Sequence, residues 1–254
     1  MILDQFKLTG KVAIVTGCST GLGEGMAIGL AEAGADVAGV DYVSGPYRVQ
    51  GELEKMGRKF LELQEDLSTI EPVNRIIEKT VSEFGKLDIL VNNAGVIRRS
   101  PIQEFTEKDW DDVINVNLKT LFFLCQAAAK QFIKQGTGGK IINIASLLSF
   151  QGGILVPSYT ASKSGVMGVT RLLANELAPH NINVNAIAPG YMATNNTAPL
   201  RADPVRSKAI LGRIPAGRWG LPEDLRGPVV FLASEASNYM NGYTVAVDGG
   251  WLAR

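Results

Sequence analysis

The chain of 254 residues is 46% hydrophobic and 20% charged, which supplies a large buried core and excludes disorder. Lys plus Arg equals Asp plus Glu at 25 each, so no global field draws in nucleic acid or an anionic membrane surface. No apolar run reaches the roughly 18 residues of a membrane span, and residues 1–10 lack a basic-then-apolar leader, so a cytoplasmic protein is expected.

In chain order, residues 12–16 read as a first strand and about 22–33 as the helix after a Gly-rich turn. Gly34 and Ala35 stop that helix, and 36–40 give a second strand ending at Asp41. A polar helix near 47–56 leads to a third strand over 59–63 that ends near Asp66. Ile70, Val73, Ile76, Ile77, Val81 and Phe84 recur at helical spacing, and 87–91 form a fourth strand closing on Asn92-Asn93-Ala94-Gly95. The spacing then predicts one long helix from Glu107 to about Lys134, capped by Thr106. A strand over 140–145, a helix over 159–177 and a strand over 182–188 follow, the last stopping at Pro189-Gly190. Residues 192–221, rich in Pro, Arg and Asn, have no clear period, and a helix over 222–234 and a strand over 244–247 finish the chain.

The strands are nearly continuous apolar runs, as expected when helices cover both faces of a parallel sheet. Strand and helix alternate without a linker or repeat. The expected fold is α/β: a single-domain Rossmann-type doubly wound parallel sheet of about seven strands, with residues 191–221 as a segment covering the substrate.

Cys18 and Cys125 show no metal-ligand spacing and read as free thiols in a reducing compartment. His180 is the single histidine, which disfavours histidine-based catalysis and histidine metal sites.

Gly17, Gly21 and Gly23 sit between the first strand and the first helix in the spacing G-x-x-x-G-x-G. There, backbone amides and the helix dipole favour a pyrophosphate, and side chains would hold it away. Ser19, Thr20 and Leu22 complete this turn. Asp41, about 20 residues on, is placed to accept from the ribose hydroxyls, and its charge would oppose a 2′-phosphate. The turn offers no cation, so NAD is expected over NADP, with Arg48 the residue that could weaken that preference by folding back. Asp66 and Leu67 end the third strand where the adenine edge would lie. Asn92 through Gly95 are expected to line the dinucleotide; otherwise these are ordinary strand ends.

Tyr159 and Lys163 lie four residues apart on one predicted helix, with Ser146 upstream at the end of an apolar run. A phenol has a pKa near 10, and an ammonium at i+4 on the same face would stabilise its anion. Ser146 could then hold a carbonyl or carbinol oxygen while Tyr159 gives or takes the proton. Taken alone, the Tyr–Lys pair is also what a solvated helix face looks like. A dinucleotide-binding regulator without turnover is the alternative of a different class, but it would not need all three residues.

The Gly turn, Asn92-Asn93-Ala94-Gly95, Ser146, Tyr159-Thr160-Ala161-Ser162-Lys163 and Pro189-Gly190 together resemble the short-chain dehydrogenase/reductase superfamily across essentially the whole chain. The resemblance implies a nicotinamide oxidoreductase in which Asn117 joins Ser146, Tyr159 and Lys163, its backbone holding a water beside Lys163. It further implies that Pro189, Gly190, Met192 and Thr194 face the cofactor, Thr194 at the nicotinamide amide, and that the protein is a homotetramer.

Other stretches, among them residues 93–99, 149–153, 190–197, 213–220 and 247–254, are similar to the sugar-acid dehydrogenases of that superfamily. This implies a small-molecule sugar-acid substrate. An Arg fork suits a carboxylate, and Arg98 or Arg99, just past the fourth strand, would point toward the catalytic mouth. Asn195 and Arg218 are weaker candidates for the same substrate.

Overall fold

The structure is a computed structural model that describes all residues, 1–254. Its strands are β1 (Val12–Thr16), β2 (Asp36–Asp41), β3 (Phe60–Gln64), β4 (Ile89–Asn92), β5 (Gly139–Ile144), β6 (Ile182–Pro189) and β7 (Thr244–Val247). All pair in parallel, in the order β3-β2-β1-β4-β5-β6-β7. The order reverses between β1 and β4, so the two loops leaving these strands diverge and open a crevice at the carboxyl edge of the sheet.

The helices are α1 (Gly21–Glu32), α2 (Arg48–Lys55), α3 (Val73–Phe84), α4 (Glu107–Ile114), α5 (Leu121–Gln135), α6 (Pro157–Leu177), α7 (Ala198–Ala202), α8 (Pro204–Arg213) and α9 (Arg226–Ala233). Strand side chains alternate between faces and so feed two cores. Ala13 and Val15 of β1 pack with Met26, Leu30, Leu53 and Val229 under α1, α2 and α9. Ile14, between them, packs with Ile76, Leu124, Phe132 and Val166 under α3, α5 and α6. The expected seven-stranded, doubly wound Rossmann-type sheet is the observed fold.

Three local features differ from the sequence pattern. The long helix expected over 107–134 is interrupted: α4 and α5 are joined by a π-helical stretch, Asn115–Thr120, which places Asn117 at a widened turn. Thr106 does cap α4, accepting from the Asp109 amide at 3.1 Å. The segment over 192–221 holds α7 and α8, and its signal was the pair Asp203-Pro204. The Asp203 carboxylate accepts from the Val205 and Arg206 amides at 2.9 and 3.0 Å, with proline in the first turn. The last helix begins as a 3-10 turn over Pro222–Leu225 and becomes α-helical only at Arg226. No helix is long and apolar enough to cross a membrane.

Candidate active site

Every element of the candidate site leaves the carboxyl edge of the sheet. After β1 the chain turns through Gly17 and Gly21, at φ 65° and 61°, into α1. Side chains are disfavoured at those angles. Gly23, in the first turn of α1, meets a tighter limit, because an added Cβ would overlap the Gly17 carbonyl and fall 2.5 Å from the Asn93 amide nitrogen. Asn93 donates that amide to the carbonyls of Thr16 and Gly17 at 2.9 and 3.0 Å. The Thr16 hydroxyl accepts in return from the backbone amides of Asn93 and Ala94 at 3.0 and 2.9 Å. The β1 turn and the β4 loop are thus stitched together. Nothing in the sequence pattern marks Thr16, whose role is set by this pairing.

The resulting cradle fits a dinucleotide: bare backbone at a helix N-terminus for the phosphates and a carboxylate at the end of β2 for a ribose. Asp41 accepts from the Ser19 and Tyr42 amides at 3.1 and 2.9 Å, which fixes its direction. Arg48 does not fold back onto it but pairs with Glu24 at 3.3 Å. Thr194 sits over the turn, its methyl 3.6 Å from where a Gly21 Cβ would lie. Met192 is buried against Gly220, and Gly190 lies against Asp248 at the end of β6. Asp66, exposed past β3, accepts from the Ser68 amide at 2.8 Å, and Leu67 beside it is buried.

Below the crevice runs a buried polar chain that sequence pattern alone misses. Asn92 donates to Asn143 at 3.0 Å, and Asn143 donates to Thr170 at 3.0 Å. Its one visible sign was an asparagine inside the apolar run Ile141-Ile142-Asn143-Ile144. The chain ties β4 and β5 to α6, although the Asn92 Oδ1 at its end is buried without a partner. Asn117 performs a similar task one loop later. Its Oδ1 accepts from the Val96 amide at 2.8 Å and its Nδ2 donates to the Val96 carbonyl at 2.9 Å. Nδ2 also lies 3.3 Å from the Ser162 hydroxyl, between Tyr159 and Lys163 in sequence.

Ser146 follows β5, and its hydroxyl accepts from the Leu148 amide at 3.2 Å. Tyr159 and Lys163 both stand on α6, with the Lys163 ammonium 5.6 Å from the phenol ring centre. In the cofactor-free protein burial raises the Tyr159 pKa, opposed by the Ser146 hydroxyl and the Arg99 charge. Lys163 itself is buried and donates to the Ile144 carbonyl at 2.6 Å. Desolvation pushes its ammonium down to about 8. Both thiols are inert: burial raises Cys18 and pushes Cys125 up to about 12.

The two arginines after β4 part company. Arg98 turns to α4 and pairs with Asp112 at 3.1 Å and Asp109 at 3.6 Å. Arg99 stays near the phenol and donates to the Asn196 carbonyl at 3.0 Å. Asn195 is exposed, and Arg218 is held by both oxygens of Asp224 at 2.6 and 2.8 Å.

Residues 11–205 match the profile of the short chain dehydrogenase family. The chain belongs to that family. A 2-dehydro-3-deoxy-D-gluconate 5-dehydrogenase of Dickeya dadantii is 69% identical over the full length of both chains. Among solved short-chain dehydrogenases, a candidate 2-deoxy-D-gluconate 3-dehydrogenase from Agrobacterium tumefaciens with bound NADP is 53% identical. It superposes with a TM-score of 0.93 over 99% of this chain and 100% of its own. A gluconate 5-dehydrogenase from Burkholderia cenocepacia, in complex with NADP and tartrate, is 36% identical with a TM-score of 0.95 over both whole chains.

Folding takes the Lys163 ammonium from its ordinary 10.5 down to about 8. Between these values the unfolded chain binds the extra proton, so this residue's contribution to stability grows as pH rises through the window. Urea unfolding of the wild type and Lys163→Met at pH 7 and pH 9.5 should show the wild type gaining relative to the variant at the higher pH. A constant difference would place the lysine in a solvated environment.

Proposed function

We propose that the protein is an NAD-dependent oxidoreductase that interconverts 2-dehydro-3-deoxy-D-gluconate and 3-deoxy-D-glycero-2,5-hexodiulosonate, with Tyr159 as the general acid and base. The observation that carries this reading is that the Ser146 hydroxyl and the Arg99 guanidinium both act on the buried Tyr159 phenol. A phenol and a hydroxyl serve a carbonyl or carbinol oxygen, and a guanidinium serves the carboxylate of a sugar acid. The 69% identity to a 2-dehydro-3-deoxy-D-gluconate 5-dehydrogenase supports the choice of substrate.

In this reading the residues divide the work as follows. The amides of the turn through Ser19, Thr20, Gly21, Leu22 and Gly23 hold the pyrophosphate, and Asp41 holds the adenosine ribose. Asn93, Ala94, Gly95, Pro189, Gly190, Met192 and Thr194 line the remainder of the dinucleotide. Bound there, the nicotinamide supplies the hydride acceptor in oxidation and the hydride donor in reduction. Ser146 hydrogen-bonds the substrate oxygen. Tyr159 takes the carbinol proton in oxidation and returns it to the carbonyl oxygen in reduction. Lys163, anchored on Ile144, fixes the floor on which the phenol rests, and Asn117 keeps the β4 loop in register with α6. The stretch over 191–221 covers the substrate and is tied to the β4 loop by the Arg99–Asn196 bond.

NAD is favoured over NADP because the Asp41 carboxylate would face a 2′-phosphate while Arg48 is engaged by Glu24. Oxidation of D-gluconate at C5 is the second reading, favoured by the likeness to the Burkholderia cenocepacia gluconate 5-dehydrogenase.

Three measurements test the proposal. Tyr159→Phe should lose about a thousandfold or more in kcat while keeping its affinity for NADH; parallel loss of NADH binding would make the residue structural. With the deoxy-ketosugar acid as substrate, kcat/KM should favour NAD over NADP by about tenfold or more, and the opposite preference would remove Asp41 from its assigned role. Arg99→Ala should raise KM for acids by roughly 10- to 100-fold, with neutral ketones and the Arg98→Ala variant little changed. Equal losses on acids and neutral ketones would mean that Arg99 acts on Tyr159 rather than on a carboxylate.

A further inference from the structure

The opposite edge of the sheet carries a second cleft that the reaction does not use. It measures about 630 Å³, within the about 300–1,000 Å³ span of small-molecule sites. Its floor is formed where β1, β4, β5 and β6 begin, and its rim by the stretch from Ser234 to Asn241 that follows α9. Lys140, the second residue of β5, stands in it half-buried. From there to Ser146 the strand rises about 3.3 Å per residue, roughly 20 Å in all, so a ligand at Lys140 touches nothing at the crevice.

The chemistry of this cleft is one-sided. The Lys140 ammonium donates to the Oδ1 atoms of Asn183 and Asn238, both at 2.8 Å, and to nothing else in the protein. Asn183 has its amide nitrogen committed to the carbonyls of Asn238 and Met240, so it can present only oxygen to the lysine. The ammonium therefore keeps one N–H without an acceptor and has no carboxylate in salt-bridge contact. Lys11 lies on the same wall and reaches its partner Asp88 only at 3.5 Å. The side-chain amides of Asn181 and Asn238 add further donors, and Tyr239, fully exposed, stands at the rim. The charged groups lining the cleft are Lys7, Lys11, Lys140, Asp88 and Glu235, beside the neutral Tyr239 phenol; with Asp4, which pairs Lys7, and Lys86, which pairs Asp88 at 3.0 Å, included, the balance stays at one positive charge.

We propose that this cleft is a second ligand site, for a small hydroxylated carboxylate held by Lys140 and Lys11 through its carboxylate and by the asparagine amides through its hydroxyls. The single excess charge fits a monoanion. A phosphate dianion would meet Asp88 and Glu235 without an arginine to offset them. Burial pushes the Lys140 ammonium down to about 8, with Glu235 opposing that shift and Lys11 adding to it. An arriving carboxylate restores the proton's stability, so binding weakens as the pH rises past that value.

The test uses the intact enzyme saturated with NADH and acetic anhydride as a lysine reagent, with acetylation of each lysine followed by mass spectrometry. The probes are D-gluconate, inorganic phosphate and the neutral polyol sorbitol. Gluconate should slow acetylation at Lys140 by about fivefold or more, leave exposed Lys55 and Lys134 unchanged, and lose its effect between pH 7 and pH 9. Sorbitol should give no protection, and phosphate less than gluconate. Calorimetric titration with gluconate should lose this binding event in both Lys140→Met and Asn238→Ala, while Arg99→Ala retains it and both cleft variants keep wild-type turnover. Unchanged acetylation at millimolar gluconate overturns the site. Equal protection by phosphate overturns the assignment to a carboxylate, and loss of protection in Arg99→Ala would trace the effect to the crevice instead.

Discussion

The close contact between the β1 turn and the β4 loop governs the geometry of the whole crevice. Gly23 has no room for a side chain because the Gly17 carbonyl and the Asn93 amide already occupy that space. Asn93 spends its amide hydrogens on β1, and the Thr16 hydroxyl accepts the backbone amides of the β4 loop in exchange. The exchange sets how far the two loops can part at the point where strand order reverses. It also aims the stretch from Val96 to Arg99 across the mouth, and Asn117 holds that stretch from the far side. Loosening any of these contacts would move Arg99 relative to Tyr159, although none of them touches a substrate.

Burial dominates the electrostatics of the site. An ammonium four residues from a phenol on a helix suggests a pair in which one charge tunes the other. In the fold, the ammonium is engaged by the Ile144 carbonyl, and burial is the largest influence on both groups. Both groups pay for desolvation in opposite directions: the phenol holds its proton more tightly and the ammonium less so. Without cofactor the phenol is therefore protonated at neutral pH, while the ammonium, at about 8, is still mostly charged there but close to its titration range. The Asn92–Asn143–Thr170 chain supplies the rigid polar floor that keeps such groups in one arrangement.

β5 joins the two ends of the molecule. Lys140 stands at its beginning, above the cleft at the amino edge, and Ile144, its last residue, anchors Lys163 at the carboxyl edge. The strand is central and paired on both sides, by β4 and β6, so it is among the least deformable parts of the sheet. A lysine meets each end of the strand, Lys140 on the strand itself and Lys163 from α6, in opposite roles. One is sealed in the protein and satisfied by a backbone carbonyl, and the other is open to a cleft and short of an acceptor.

Sequence alone determined the sheet and the glycine cradle, since both arise from local rules. Apolar runs bounded by turn residues specify buried parallel strands, and glycines at 17, 21 and 23 between strand and helix specify where backbone must be bare. The spacing of Tyr159 and Lys163 likewise fixed their helix face, and Asp41 its strand end. Tertiary structure decided the rest because each missing feature depends on partners far along the chain. Arg98 and Arg99 are indistinguishable as neighbours until Asp112 claims one and the Asn196 carbonyl, 97 residues away, claims the other. The π turn at Asn117, the service of Thr16 and Asn143, and the unanswered N–H of Lys140 all follow from such pairings. Periodicity records which face a residue occupies; it carries no information about which distant group will meet its hydrogen bonds.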